Sequence, residues 1–199
     1  NLELPASEEI APEPLCQYGM SKLAGEQYLA LYRRMYMFNS VALRFGNVYG
    51  PRQSPKGEAG AVAIFGELLM AGQNPVVFGD GLQTRDFVYI DDLIEAILTA
   101  SRTDVEGPIN LGSGEETSIL DLLSGLREAG LSLNGDGPPE GTDFEPSFDR
   151  GRPGEVRRIS IDPARAAREL GWNPTTQLKS GLRETLSAMA ASADDITHA

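Results

Sequence analysis

The sequence predicts an α/β fold with a parallel sheet. Three observations point there. Short runs rich in Val, Ile, Phe and Tyr alternate with segments whose apolar residues recur at helical spacing. Turns bearing Gly and Pro separate the two kinds of segment, and no internal repeat interrupts the alternation.

Taken in order, residues 1–15 carry three Pro and no periodicity, so an irregular segment is expected. From Tyr18 to Tyr36 the spacing of Leu23, Tyr28, Leu31, Tyr32 and Met35 suits an amphipathic helix. SVALRF (40–45) is a short β-rich run, and GNVYGPRQSPKG after it reads as a loop. Residues 60–71 read as a helix ended by Gly72. Pro75–Phe78 reads as a short strand, followed by a GDG turn. RDFVYI (85–90) is extended, with Asp91 or Asp92 the expected cap of a helix to about Ser101. GPINL (107–111) reads as a strand, and Thr117 as the cap of a helix reaching Ala129. Residues 131–154, polar and rich in Gly and Pro, are expected to form a loop. VRRISID reads as a strand, and Asp162 as the cap of a helix ending at Gly171. Leu178 to about Met189 reads as a last amphipathic helix, and the tail ASADDITHA is expected to fray.

Composition narrows the function. The chain of 199 residues has a net charge of -12, which argues against nucleic-acid and anionic-membrane partners. Its 14 Arg against 3 Lys suggest placed positive charge in an acidic chain. One Cys excludes an internal disulfide, and one His leaves no Cys/His metal cluster, so no metal is expected. No apolar run approaches the length of a membrane span and no signal peptide opens the chain, so a cytoplasmic location is expected.

Several residues carry chemistry. Tyr18 and Lys22 lie four apart on one helix face, and a nearby cation favours an ionised phenol, a usable general base. The alternative is a chance surface pair. INLGSGEET (109–117) places a Gly-x-Gly turn between strand and helix, as dinucleotide-binding turns do. The third Gly position is occupied by Thr117 and no acid-ended strand follows, so the segment reads as a structural turn. Arg52, Arg85 and Arg152 sit beside Gly or Pro in loop-like contexts, where a guanidinium suits bidentate capture of phosphate. Singly, each is more often a solvated surface residue. Phe78, before the GDG turn, either stacks on a base or belongs to the core.

Six ordered segments carry a resemblance: YGMSK (18–22), LRFGNVYGPRQ (43–53), VVFGDGLQTRDFVYIDD (76–92), INLGSG (109–114), RPGEVRRISID (152–162) and ARELGWNP (167–174). Together they resemble the extended short-chain dehydrogenases/reductases of the nucleotide-sugar epimerase/dehydratase branch, most of all the UDP-hexose 4-epimerases. The resemblance implies the C-terminal part of a Rossmann-like, doubly wound parallel sheet plus a smaller α/β substrate-binding lobe. Residues 1–50 and 84–103 would belong to the NAD lobe, 51–83 and 104–190 to the nucleotide-sugar lobe, and 191–199 to a tail. It implies NAD as cofactor, a UDP-sugar substrate and a homodimer. Tyr18 matches the catalytic base, and Lys22 the residue that assists it and holds the nicotinamide ribose. Asn47, Arg85 and Arg152 match contacts to the diphosphate, Phe78 the uracil position, Glu155 a ribose contact usually made by Asp, and Ile159 a residue limiting the hexose substituent.

The NAD-binding strands of the family, with the Ser/Thr partner of the Tyr, would precede Asn1, so the chain corresponds to the C-terminal two-thirds of such a protein. In that case the Tyr18 helix and the strand 40–45 would expose apolar surface. The implied reaction is 4-epimerisation of a UDP-hexose through a 4-keto sugar. A nucleotide-sugar 4,6-dehydratase or UDP-glucuronate decarboxylase would share most of these residues. A non-catalytic UDP-sugar-binding piece is the reading from another class.

Overall fold

A computed structural model describes residues 3–56, 60–152 and 154–197. The fold is mixed α/β, as expected. Helix α1 (Gln17–Tyr36) leads to strand β1 (Val41–Phe45), which pairs in parallel with β6 (Gly107–Leu111), Leu43 facing Ile109. Strand β2 (Asn47–Tyr49) pairs in parallel with β5 (Phe87–Tyr89), and β3 (Val76–Phe78) with β8 (Ser147–Asp149). A short antiparallel ladder joins β4 (Thr84–Arg85) to β7 (Thr117–Ser118). The remaining helices are α2 (Ala61–Met70), α3 (Ile90–Ala100), α4 (Ile119–Leu131), α5 (Ala164–Leu170) and α6 (Leu178–Thr197).

Strand β5 divides the interior. Its side chains alternate, so Phe87 and Tyr89 enter one apolar cluster and Val88 the other. The first cluster packs α2, α4 and α6 through Leu69, Leu122, Leu126, Leu182 and Leu186. The second packs α3 and α5 on β6 through Leu93, Ile109, Leu111 and Trp172, whose indole N–H donates to the Asp92 carbonyl at 2.7 Å.

Six local expectations are corrected. Residues 47–49 are strand rather than loop, because β5 offers them a complete ladder. The loop 131–154 contains a 3₁₀ turn (Asn134–Asp136) and β8, which finds its partner in β3. VRRISID is not a strand: its arginines pair with acids elsewhere, and only Ile161 forms a bridge, to Ala6. The caps also differ. Tyr89 precedes α3, with Asp92 inside the first turn accepting from Thr175 and Thr176. Ser118, not Thr117, caps α4 by accepting the Asp121 N–H at 3.0 Å. Finally, α6 runs on through the residues expected to fray, as far as Thr197. Asp162 does accept the Ala164 N–H at the start of α5, and Gly171 (φ 64°) ends that helix.

Helix α1 buries no residue. Tyr28, Leu31, Tyr32, Met35 and Tyr36 are exposed along it, Tyr32 and Tyr36 stacking with centroids 5.5 Å apart. Phe45 of β1 is exposed as well, so the apolar surface anticipated on these two elements is present.

Candidate functional site

The nucleotide-binding candidates converge where the GDG turn after β3 meets the segment 151–158. Gly79 and Gly81 in that turn have φ of 80° and 74°, a conformation glycine adopts without strain. The Gly79 N–H donates to the Asp149 carbonyl, continuing the β3–β8 ladder into the turn. There the Arg152 guanidinium lies 4.0 Å from the centre of the Phe78 ring. Arg85 donates to Glu155 Oε1 at 2.8 Å, and to the carbonyls of Thr84 and Val156. Phe78, Gln83, Arg152 and Glu155 line two adjoining cavities of about 210 and 180 Å³.

Two further ion pairs hold the same segment. Arg157 grips Asp80 with two hydrogen bonds at 2.6 and 2.8 Å, and that hydrogen bonding lowers the Asp80 carboxyl to about 2. Arg158 donates to Glu116, which also accepts from Thr84, and both contacts hold the Glu116 carboxyl below its usual range. Thus three arginines on two stretches, 85 and 157–158, fasten 151–158 against β4, the GDG turn and the start of β7.

The second group stands apart on α1. Tyr18 is 63% exposed, and Lys22 Nζ lies 4.9 Å from its ring centre, so the i,i+4 spacing does bring the two together. Asn47 is exposed at the start of β2, its backbone N–H donating to the Asp86 carbonyl beside Arg85. Ile159 is half-buried between Arg158 and the buried Ser160. Arg52, at φ 67°, lies in the loop after β2, outside the Phe78 cavities.

Asp86 is the residue the sequence reading passed over. It is 1% exposed, and its carboxylate accepts from the N–H groups of Ser113, Gly114 and Ile161 and from the Ser113 hydroxyl. A signal was there: in RDFVYI, Asp86 shares the period-two face with Val88, an apolar position that must be buried. The same contacts explain the Gly-x-Gly turn. The backbone N–H groups of Ser113 and Gly114, which would meet a phosphate in a dinucleotide cradle, are taken by a carboxylate. A Cβ on Gly112 would lie 2.6 Å from Asp86 Oδ2, so glycine is required there by the close approach.

The comparisons agree with this architecture. Residues 1–185 match the family described as GDP-mannose 4,6 dehydratase. A UDP-glucose 4-epimerase of Mycolicibacterium smegmatis is 40% identical over 183 residues, covering 92% of this chain and 55% of that protein. The solved UDP-glucose 4-epimerase of Thermotoga maritima with UDP-glucose superposes with a TM-score of 0.89 at 36% identity, covering 97% of this chain and 60% of that one. That of Thermus thermophilus with NAD gives 0.82 at 36% identity, covering 92% and 57%. The chain therefore spans a little over half the length of the proteins it matches. With the ordered motifs, the parallel ladders and a match over residues 1–185, the chain belongs to the GDP-mannose 4,6 dehydratase family, whose relatives are NAD-dependent nucleotide-sugar epimerases and dehydratases.

Proposed function

We propose that this chain supplies the base and the nucleotide-sugar contacts of a UDP-hexose 4-epimerase. The observation that carries the reading is the Tyr18–Lys22 pair, exposed on α1 with the ammonium 4.9 Å from the ring centre. An NAD molecule would find in that pair an unencumbered phenol and ammonium for its nicotinamide-ribose end. No ion pair engages Lys22 among the described residues. The bound dinucleotide supplies reversible hydride transfer.

The chain's own part is proton handling and orientation. Tyr18, with the Lys22 ammonium beside its ring, is the group placed to take the proton of the sugar 4-OH and to return it once the keto sugar has turned its other face. Arg85, Arg152 and Asn47 hold the diphosphate, Phe78 the base, and Ile159 bounds the hexose. Glu155 takes a second role in this reading: its carboxylate orients Arg85, the pair being 2.8 Å apart. The apolar side chains exposed along α1 support a homodimer.

The test is proton NMR of UDP-glucose incubated with NAD⁺ and a full-length protein that joins this chain to the family's NAD-binding strands. UDP-galactose signals are expected, and Tyr18→Phe should abolish them while UDP binding persists. A 6-methyl doublet of a 4-keto-6-deoxy sugar would instead make the protein a dehydratase, the activity in the family's own description. Tight UDP-sugar binding with no product would favour a binding protein.

A further inference from the structure

We infer that Gln83 reads the base of the nucleotide seated on Phe78, its Oε1 accepting the imide N–H of a uracil-type ring. The inference rests on the nucleotide-sugar reading and names the base that the site selects. Gln83 is 6% exposed and lines both cavities with Phe78, Arg152 and Glu155. Its Nε2 donates to the Phe78 carbonyl at 2.9 Å. That bond settles the amide orientation, because the reversed amide would set two acceptors against each other. Oε1 is left buried without a hydrogen-bond partner among the described residues. Buried acceptors are nearly always paired in folded proteins, so an unpaired one beside a cavity is a place for a donor.

Among the described residues the surroundings supply none. Gly79 and Gly151 pass beside the amide: a Cβ on Gly79 would lie 4.0 Å from Oε1 and 3.9 Å from the Gly151 Cα. The Arg152 guanidinium rests on the Phe78 ring, where a planar base would stack. A base that displaces it enters the cavity that Gln83 lines and presents its edge to the amide. Uracil and thymine carry an N3–H donor there. Cytosine carries an acceptor at N3 and would leave Oε1 unpaired, so the amide discriminates between them.

The experiment is calorimetric titration of the chain with UDP, CDP and N3-methyl-UDP, on wild type and Gln83→Leu. Wild type should bind UDP about tenfold tighter than either analogue, the effect of one buried hydrogen bond. In Gln83→Leu the UDP preference should collapse to about threefold or less, mainly through weaker UDP binding. An unchanged preference in a folded Gln83→Leu overturns the inference while leaving the nucleotide reading intact. If that variant fails to fold, wild type decides: equal affinities for UDP and N3-methyl-UDP overturn it. A wild type that binds no UDP overturns the nucleotide reading and this inference together.

Discussion

Asp86 and Ser113 are joined twice: one carboxylate oxygen, Oδ1, accepts both the backbone N–H and the hydroxyl of Ser113 at 2.7 Å. The other oxygen takes the N–H groups of Gly114 and Ile161 at 3.1 and 3.0 Å. A single buried side chain thereby ties the β4–β5 connection to the turn after β6 and to the segment leading into α5. Arg85, one residue earlier on the strand that this carboxylate fixes, donates to Glu155, which lines the cavities beside Phe78.

Removing that carboxylate should be costly. Asp86→Ala strands four donors in the interior, with an expected loss of about 3–5 kcal/mol. Asp86→Asn should be nearly as damaging, since its amide presents a donor where two acceptors are needed. Urea unfolding would show a lower midpoint at unchanged slope. A shift equivalent to less than about 0.5 kcal/mol, the size of an ordinary surface change, would deny Asp86 this role.

Tyr49 and Gly181 give an opposed pair of outcomes. The Tyr49 hydroxyl is buried without a hydrogen-bond partner among the described residues, and burial pushes its pKa up. Tyr49→Phe should therefore leave stability unchanged or raise it by up to about 1 kcal/mol. Gly181→Ala, ordinarily favourable inside a helix, would place a Cβ 2.2 Å from that hydroxyl and 2.9 Å from the ring. It should cost about 1–3 kcal/mol, less in the Tyr49→Phe background. Thermal melts of the four chains check this, and simple additivity of the two changes would refute the contact.

Arg85→Ala should weaken UDP-sugar binding by about 1.5–3 kcal/mol, as for loss of a charge-assisted hydrogen bond. Arg85 also donates to the Thr84 and Val156 carbonyls, so a smaller loss of fold stability should accompany it. Calorimetry of folded protein separates the two effects. A dissociation constant equal to wild type would remove Arg85 from the site.

The Asp80–Arg157 pair sets an acid limit. Arg157 lowers the Asp80 carboxyl from its ordinary 3.8 to about 2. Because the folded value lies below the unfolded one, the pair's contribution is complete above pH ~4 and disappears as pH falls towards 2. Carboxyl NMR should show Asp80 titrating near the lower value, and in Arg157→Leu it should move up towards the ordinary carboxylate range, the Leu82 N–H still holding it partly down. Titration at an unshifted position in the wild-type chain would contradict the pairing.

How far the sequence announced this structure depends on the range of the interaction. Helix α1, strand β6 and the Tyr18–Lys22 pairing follow from local periodicity, and each is where the spacing placed it. Strand β8 could not be read that way. Phe148 favours a strand but stands alone between Ser147 and Asp149, which do not, and the three are extended because β3 supplies a ladder. The converse holds at VRRISID, whose β-branched residues suggested a strand while Arg157 and Arg158 are drawn to Asp80 and Glu116 instead. At the candidate site, loop arginines beside Gly and Pro were visible in the sequence. Gln83 was not, because its interest lies in an amide held by a carbonyl five residues away and left half-paired.

The two stretches that meet around Phe78 are far apart along the chain: Arg85 and Glu155 are separated by 70 positions, Asp80 and Arg157 by 77. Closing loops of that length forfeits chain entropy before any contact repays it, and such contacts slow folding. During synthesis Phe78 and Arg85 leave the ribosome long before the residues that complete their surroundings. The α2–α4 packing can form first, and the cavity beside Phe78 acquires its walls only once Arg152 and Glu155 have been made.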